Sequence, residues 1–559
     1  MHQACRQCQT SFEITEDDLA FYEKISPVFD GKKQSVPPPT LCPDCRMLRR
    51  FAFRNERNLY RRKSDATGKE IISVYSQEKP YKIFEADAWW NEANGPFVHG
   101  RDVDFDRPFF EQMQELLLAL PHIALYNVQC ENSPYVNQCG WSKNCHMAVA
   151  TDFSEDCYYT EYSYSARNCV DSIGLHECEL CYECVDCVQC YQTLFSQSCS
   201  TCTDCSFCFE CRGCKHCFGC AGLRTKEHCY FNEQLTPEEW KKRVGTLTYT
   251  PMMLAENRER ARVVKLKIPH PHAVMTNCVD CTGNYLSNCK NAIACFDGKD
   301  TQDSKYCSIM PLTTKDAYDL IGGGGELLYE VFSTGPGYHN IFCWHCWNGV
   351  SELTYCAFCM NASKNLFGCV GLKKQQYCIM NKQYSQGEYE RMATKLAEAM
   401  RSRGEWGEFF PITLSPFAYN ETIELQHFPL SRVQALKQGY HWRDEEDDVP
   451  KVEKIVEGSE LPENIRDVPD DILNWAIRCE ASGRPFRLIK QELDFYRTQG
   501  LPPPRLHPDE RHNRRVALRN PRKLWKRQCD NCKKDIETTY APERPEIVYC
   551  EECYLKEVY

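Results

Sequence analysis

From Cys130 to Leu223 every third residue is small or modestly apolar. Thirty-two successive positions hold only Cys, Ser, Thr, Ala, Val or Leu, and eighteen of them are cysteine. No cysteine between residues 130 and 229 falls outside this phase. A three-residue period matches neither the roughly 3.6-residue repeat of a helix nor the two-residue alternation of a strand. It suits a narrow β-solenoid that points one residue in three inward, with four inward positions making a coil of about twelve residues. The residues between are polar or aromatic, as an outer wall requires. So narrow an interior selects for size, and a thiol is a small hydrophobe with few polar demands. Ser, Thr, Ala and Val replace Cys along the ladder, which a metal cluster would not tolerate. Neighbouring coils ~4.8 Å apart would also let the same ladder oxidise or hold soft metals.

A second unit repeats the first. Cys139, Cys145 and Cys157 recur as Cys289, Cys295 and Cys307, 150 residues on. Phe218-Gly219-Cys220, Leu223, Cys229, Asn232 and Gln234 recur as Phe367-Gly368-Cys369, Leu372, Cys378, Asn381 and Gln383, 149 residues on. Each unit closes with a helical stretch, Pro237 to Val244 and Gly387 to Arg401, placed to cap a sheet end. Glycines 322–325 predict a loop that interrupts the second ladder around Ile321 to Gly337. That run lacks the Lys-Ser/Thr ending of a phosphate loop.

Two cysteine quartets flank the solenoids. Cys5-x2-Cys8 with Cys42-x2-Cys45, and Cys529-x2-Cys532 with Cys550-x2-Cys553, have the knuckle spacing that brings four thiolates to one tetrahedral ion. The expected cofactor is zinc, two ions per chain, each in a closed structural site. Thr15 and Asp18 read as an N-cap and its partner for a short helix ahead of Leu19, Phe21 and Tyr22. Aligning the chain on itself reveals a further copy of the first module. Cys479, Phe486, Leu493, Phe495 and Tyr496 match Cys5, Phe12, Leu19, Phe21 and Tyr22, and Leu501 to Glu510 matches Val36 to Cys45. The ligand positions there hold Cys479, Ser482, His507 and Glu510, so this copy reads as a module that has lost its metal. The alternative is an open Cys479/His507/Glu510 site with a water ligand and hydrolytic character.

Both copies end in a basic run: Arg49, Arg50, Arg54 and Arg57 in the first, Arg514, Arg515, Arg519 and Arg522 in the second. Gathered on one helical face, these residues suit a phosphate backbone. The competing reading pairs them with carboxylates of this acidic chain, whose net charge is −11.

The expected fold is mainly β with helices, a duplicated narrow cysteine-lined β-solenoid flanked by small zinc-ribbon modules. Its parts are a zinc module over 1–65 and a small helical or mixed unit over 66–129, with a helix from Phe109 to Leu120. Solenoid units over 130–262 and 263–410 follow, then a partly acidic linker over 411–474, acid-rich from Trp442 to Glu457. The degenerate module covers 475–528 and the C-terminal ribbon 529–559. The N-terminus lacks a secretory pattern and no stretch is apolar enough to span a bilayer, so the expectation is a cytoplasmic protein with reduced thiols.

With Phe12-Glu13-Ile14-Thr15 and Leu41-Cys42-Pro43-Asp44-Cys45-Arg46, the first module resembles the zinc-ribbon module that opens many uncharacterised bacterial proteins. Asn365 to Leu372 and the ending from Tyr540-Ala541-Pro542 to Cys553-Tyr554 extend that resemblance to a cysteine-rich family over most of the chain. It implies zinc binding and no assigned activity. Ser64 departs from the repeat, where the other copy has Cys529. The functional expectation is a non-enzymatic scaffold that presents surfaces to a macromolecular partner, protein or RNA, with no small-molecule substrate. The alternatives are an RNA-associated protein using the arginine runs and a thiol-based metal or redox buffer using the ladder.

Overall fold

The computed structural model describes residues 1–91, 95–347, 349–444 and 450–558. From Val128↔Gly140 to Phe218↔Tyr230, parallel bridges advance along the chain in steps of twelve residues, the register of a four-cornered coil. Each corner takes three residues with fixed roles. Tyr182 bridges to the neighbouring coil, Glu183 turns the corner in the left-handed region (φ 49°), and Cys184 points inward with no exposed surface. Non-glycine residues hold that strained conformation at almost every corner, Trp141 and Phe153 included. Such a conformation costs about 1–2 kcal/mol per residue.

Hydrogen bonding between coils offsets the strain. The bridging N–H of Val128 donates to Cys139 O, and the corner N–H of Trp141 donates to Val128 O, both at 2.9 Å. At some corners the third N–H also finds a partner, in the inward side chain one coil before. Cys145 N donates to Ser133 Oγ at 2.9 Å, Cys184 N to Ser172 Oγ at 3.1 Å and Cys190 N to Cys178 Sγ at 3.4 Å. The same side chains lie against carbonyls, as Cys184 Sγ does with Tyr182 O at 3.6 Å and Thr193 O at 3.1 Å. At such corners the inward group both accepts and donates, which is more than the low polar demand expected of the thiol, while Ala148, Ala166 and Leu175 fill other corners by size alone.

The second solenoid is looser, with true strands and steps of eleven to thirteen residues, as in Met275↔Leu286, Gly283↔Cys295 and Thr301↔Thr314. The expected interruption is absent. Strand Gly325–Tyr329 pairs with Thr314–Tyr318 on one side and Gly337–Ile341 on the other. The glycines serve close stacking rather than a loop, since a Cβ on Gly325 would stand 2.2 Å from Gly337 O. The ladder also corrects the alignment of the two units. Stepping back from Val370 through Ala357, Trp344, Phe332 and Ile321 reaches Ser308, while stepping back from Ala221 through Phe209, Gln197, Val185 and Ile173 reaches Glu161. Cys307 thus corresponds to Thr160, and the 150-residue match is one corner out of register, a slip that a three-residue period hides.

Capping boxes start both closing helices, Thr236 with Glu239 and Ser385 with Glu388. Helix Gln386–Ser402 buries Tyr389, Leu396 and Met400, but Pro237–Arg243 buries no residue and so does not seal a sheet end. A helix not anticipated, Pro251–Lys265, lies along the first solenoid, where Arg258 pairs with Glu183. The expected helix of the small unit spans Phe109–Ala119. It belongs to one large core with the first module, the wall of the second solenoid and residues 406–440. The segment expected as a linker is packed on both flanks: Phe417, Tyr419 and Ile423 are buried, and Lys454–Glu457 pairs with Trp475–Arg478. Residues 445–449 of its acidic stretch lie outside the described residues.

Candidate metal centres and the arginine locks

Three turns of one design carry the first ligand pair of each module. After Cys5, Gln9 N donates to Cys5 O and Cys5 N to Thr10 O, both at 2.9 Å, with Gln9 at φ 63°. Lys533 and Lys534 repeat this around Cys529, and Gly483 and Arg484 repeat it around Cys479. The second pair comes from a helix start: Cys42 is the N-cap of Pro43–Phe51, and Cys550 directly precedes Glu551–Val558. Helix N-termini favour negative charge, here thiolates. In both quartets the four sulfurs lie within 4.8 Å of one another, with Cys8 to Cys42 at 3.6 Å and Cys532 to Cys550 at 3.7 Å. Tetrahedral zinc at a Zn–S distance of ~2.3 Å needs sulfurs about 3.8 Å apart, so both donor sets fit a closed site.

The degenerate copy keeps the turn without the convergence. Among the described residues, the two quartets are the only sets of three or more ligand atoms that meet, so Cys479, His507 and Glu510 do not form a site. His507 has become a helix cap, its Nδ1 accepting from Asp509 N at 3.2 Å. Burial pushes that imidazole down to about 4.

The arginines after each module turn inward. From helix Pro43–Phe51, Arg46 and Arg50 both reach Asp319 of the second solenoid, at 2.9 and 3.1 Å, and Arg49 reaches Glu330 at 2.7 Å and Glu408 at 2.9 Å. From helix Pro508–Val516, Arg511 and Arg515 both reach Asp171 of the first solenoid, Arg515 at 2.8 Å. Arg46 and Arg50 occupy the positions of Arg511 and Arg515 in the module repeat, and Asp319 and Asp171 are left-handed corner residues of corresponding coils (φ 56° and 51°). The duplication therefore includes the docking contact, and it is crossed: the first module sits on the second solenoid, the second module on the first.

Further along, Arg519 spans the solenoids through Asp186 and Asp297, Arg522 joins it on Asp297 at 2.8 Å, and Arg54 pairs with Glu56. Arg57 meets Asp509 of the other module at 3.6 Å. Of the eight arginines that offered a possible phosphate contact, Arg49, Arg50, Arg54, Arg57, Arg515 and Arg522 are buried, Arg519 is half-buried and Arg514 is exposed, in line with the competing reading of pairing with the chain's own carboxylates. The basic face is consumed internally because the helices that carry it are the helices that dock. Sequence reasoning missed the acceptors Asp171, Asp186, Asp297, Asp319 and Glu330; their signal is an acidic residue at the corner phase, immediately before an inward position. Where the modules and solenoids meet, a cavity of about 210 Å³ is lined by Glu161, Tyr285, Asp297, His427 and Arg522. Burial, together with Glu56, pushes the Glu161 carboxyl up to about 8.

Among the described residues no helix is long and apolar enough to cross a membrane. No protein-family model matches the chain, and no curated protein does. Among solved structures, a presumed acetyltransferase from Desulfovibrio desulfuricans G20 is 7% identical over 50% of this chain and 81% of its own, with a TM-score of 0.11. So slight a likeness carries no argument.

Proposed function

We propose that this chain is a zinc-stabilised, non-enzymatic scaffold whose rigid solenoid wall docks a protein partner. The observation that carries the reading is a row of stacked aromatics on the outside of the first solenoid. Trp141 and Phe153 stack at 5.0 Å with 5° between ring planes, Phe153 meets Tyr164 at 5.3 Å, and Tyr164 stacks on His176 at 5.4 Å. Trp141, Phe153 and Tyr164 remain 51%, 47% and 44% exposed. A contiguous exposed apolar row held on a rigid frame marks an interaction surface, and aromatic side chains anchor such surfaces. Its apolar character and the internal use of the arginines favour a protein partner over RNA. Zinc in the two quartets is supported by the all-sulfur donor sets and their spacing, and four thiolates leave no open coordination position, so the metal's role is structural.

The test is affinity capture from native lysate with nuclease treatment as control, comparing the wild type with a Trp141→Ser/Phe153→Ser double variant. A nuclease-resistant partner lost from the variant is expected. A partner set that the variant retains in full overturns the docking surface, and elemental analysis of reductively purified protein that finds no zinc overturns the metal assignment.

A further inference from the structure

Outside the two quartets, every cysteine is buried except Cys130, Cys278 and Cys281. Cys278 and Cys281 are inward positions at neighbouring corners of the first coil of the second solenoid, preceded by the left-handed residues Asn277 and Asp280, both at φ 53°. Val279 bridges to Lys290, so the next coil covers one side of the pair. On the other side no coil follows, because the chain enters from His270–Pro271, which pairs with Val548–Tyr549 of the C-terminal ribbon. The sulfurs lie at the solvent-facing mouth, Cys278 Sγ 3.4 Å from Thr276 O and Cys281 Sγ 3.2 Å from Val279 O. A cleft of about 350 Å³, walled by Cys281, His272, Met275, Lys534, Glu551 and Cys550 of the second quartet, opens beside Cys281.

We propose that Cys278 and Cys281 form a redox-active dithiol that exchanges with small-molecule disulfides admitted by this cleft. The inference does not rest on the scaffold reading. One cysteine, as thiolate, attacks a sulfur of the incoming disulfide, forming a mixed disulfide and expelling one small thiolate. The second cysteine, also as thiolate, attacks the protein sulfur of that mixed disulfide, closing Cys278–Cys281 and expelling the other. Two electrons pass from the protein pair to the disulfide, and the two thiol protons end on the two released small thiols. Two thiols three residues apart are what this chemistry needs, one to attack and one to resolve. Cys130 is a built-in comparison: it lies in the first coil of the other solenoid, but its neighbouring corner holds Ser133, so it lacks a partner thiol three residues on.

The test treats the native full-length protein with oxidised glutathione, then alkylates free thiols and maps the peptides by mass spectrometry alongside metal content. The expected result is a Cys278–Cys281 disulfide with the remaining ladder alkylated only after denaturation, and metal content unchanged. Cys281→Ser is expected to stall with glutathione attached to Cys278. Oxidation that leaves the Cys278–Cys281 peptide reduced, or that begins in the quartets with metal release, overturns the proposal. Neither result bears on partner capture through Trp141 and Phe153.

Discussion

At the third position of each corner a side chain has to occupy little volume, and at corners such as Ser172 and Cys178 it also takes up an inward N–H. Cysteine and serine do both, which is why they interchange along the ladder. Alanine meets only the size requirement, as Ala148 and Ala166 do in the native ladder, and gives up the contact with the carbonyls. Cys187 sits in the middle of the ladder, with its sulfur 3.6 Å from Val185 O and 3.7 Å from Ser196 O. Cys187→Ser is expected to change stability by less than ~1 kcal/mol. Cys187→Ala should cost about 1 kcal/mol more through the lost hydrogen bonding, and Cys187→Leu should cost about 1–3 kcal/mol through overpacking. Chemical denaturation of the three variants under reducing conditions checks the order; a Leu variant as stable as the wild type would mean the coil is wider than its register implies. Burial drives interior thiols such as Cys139 and Cys169 far above the ordinary thiol range, so they react slowly while the coil is intact.

The docking helices show what a buried ion pair does at the scale of an element. Asp319 and Arg50 have no exposed surface and Arg46 has 2% on its side chain, so removing the carboxylate leaves Arg46 without an ion-pair partner and Arg50 with only Glu330 at 3.7 Å in a dry interface. Asp319→Asn is expected to destabilise by about 3–5 kcal/mol, and Asp171→Asn should destabilise on the other side, where Arg515 loses its carboxylate and Arg511 is left with Glu492 at 2.9 Å. Thermal unfolding of both variants measures this; equal stability of either with the wild type would show that helix packing alone holds the module. These pairs also mark the limit of what the sequence conveys. The three-residue phase, the twelve-residue coil, the quartets and the capping box at Thr15 are local patterns, so they can be read from spacing. Arg46 and Asp319 are 273 residues apart, and nothing in either neighbourhood names the other. The left-handed corners were equally hidden, because residues such as Trp141 and Leu180 stand where a turn signal would call for Gly or Asn. Glycines 322–325 misled for the converse reason, since close backbone stacking and a loop select the same residue.

For the whole molecule, the crossed arrangement makes each module a clasp on the solenoid distant from it in sequence. If metal holds the first clasp together, Cys45→Ser should lower metal content by one ion per chain and loosen the second solenoid's wall. Hydrogen exchange should then rise across strands Thr314–Tyr318, Gly325–Tyr329 and Gly337–Ile341, while residues 130–230 stay protected. Exchange that rises equally in both solenoids would show that the modules do not act separately. The same crossing sets an order of events during synthesis. Helix Pro43–Phe51 leaves the ribosome long before Asp319 exists, and at roughly 5–20 residues per second the wait lasts tens of seconds. Through that interval Phe51, Phe53 and the paired arginines have no surface to close on, so the nascent chain carries an exposed, sticky, positively charged segment. A chaperone that shields the segment, or an early-bound ion that keeps its module folded, would decide how much of the newly made protein reaches its final form.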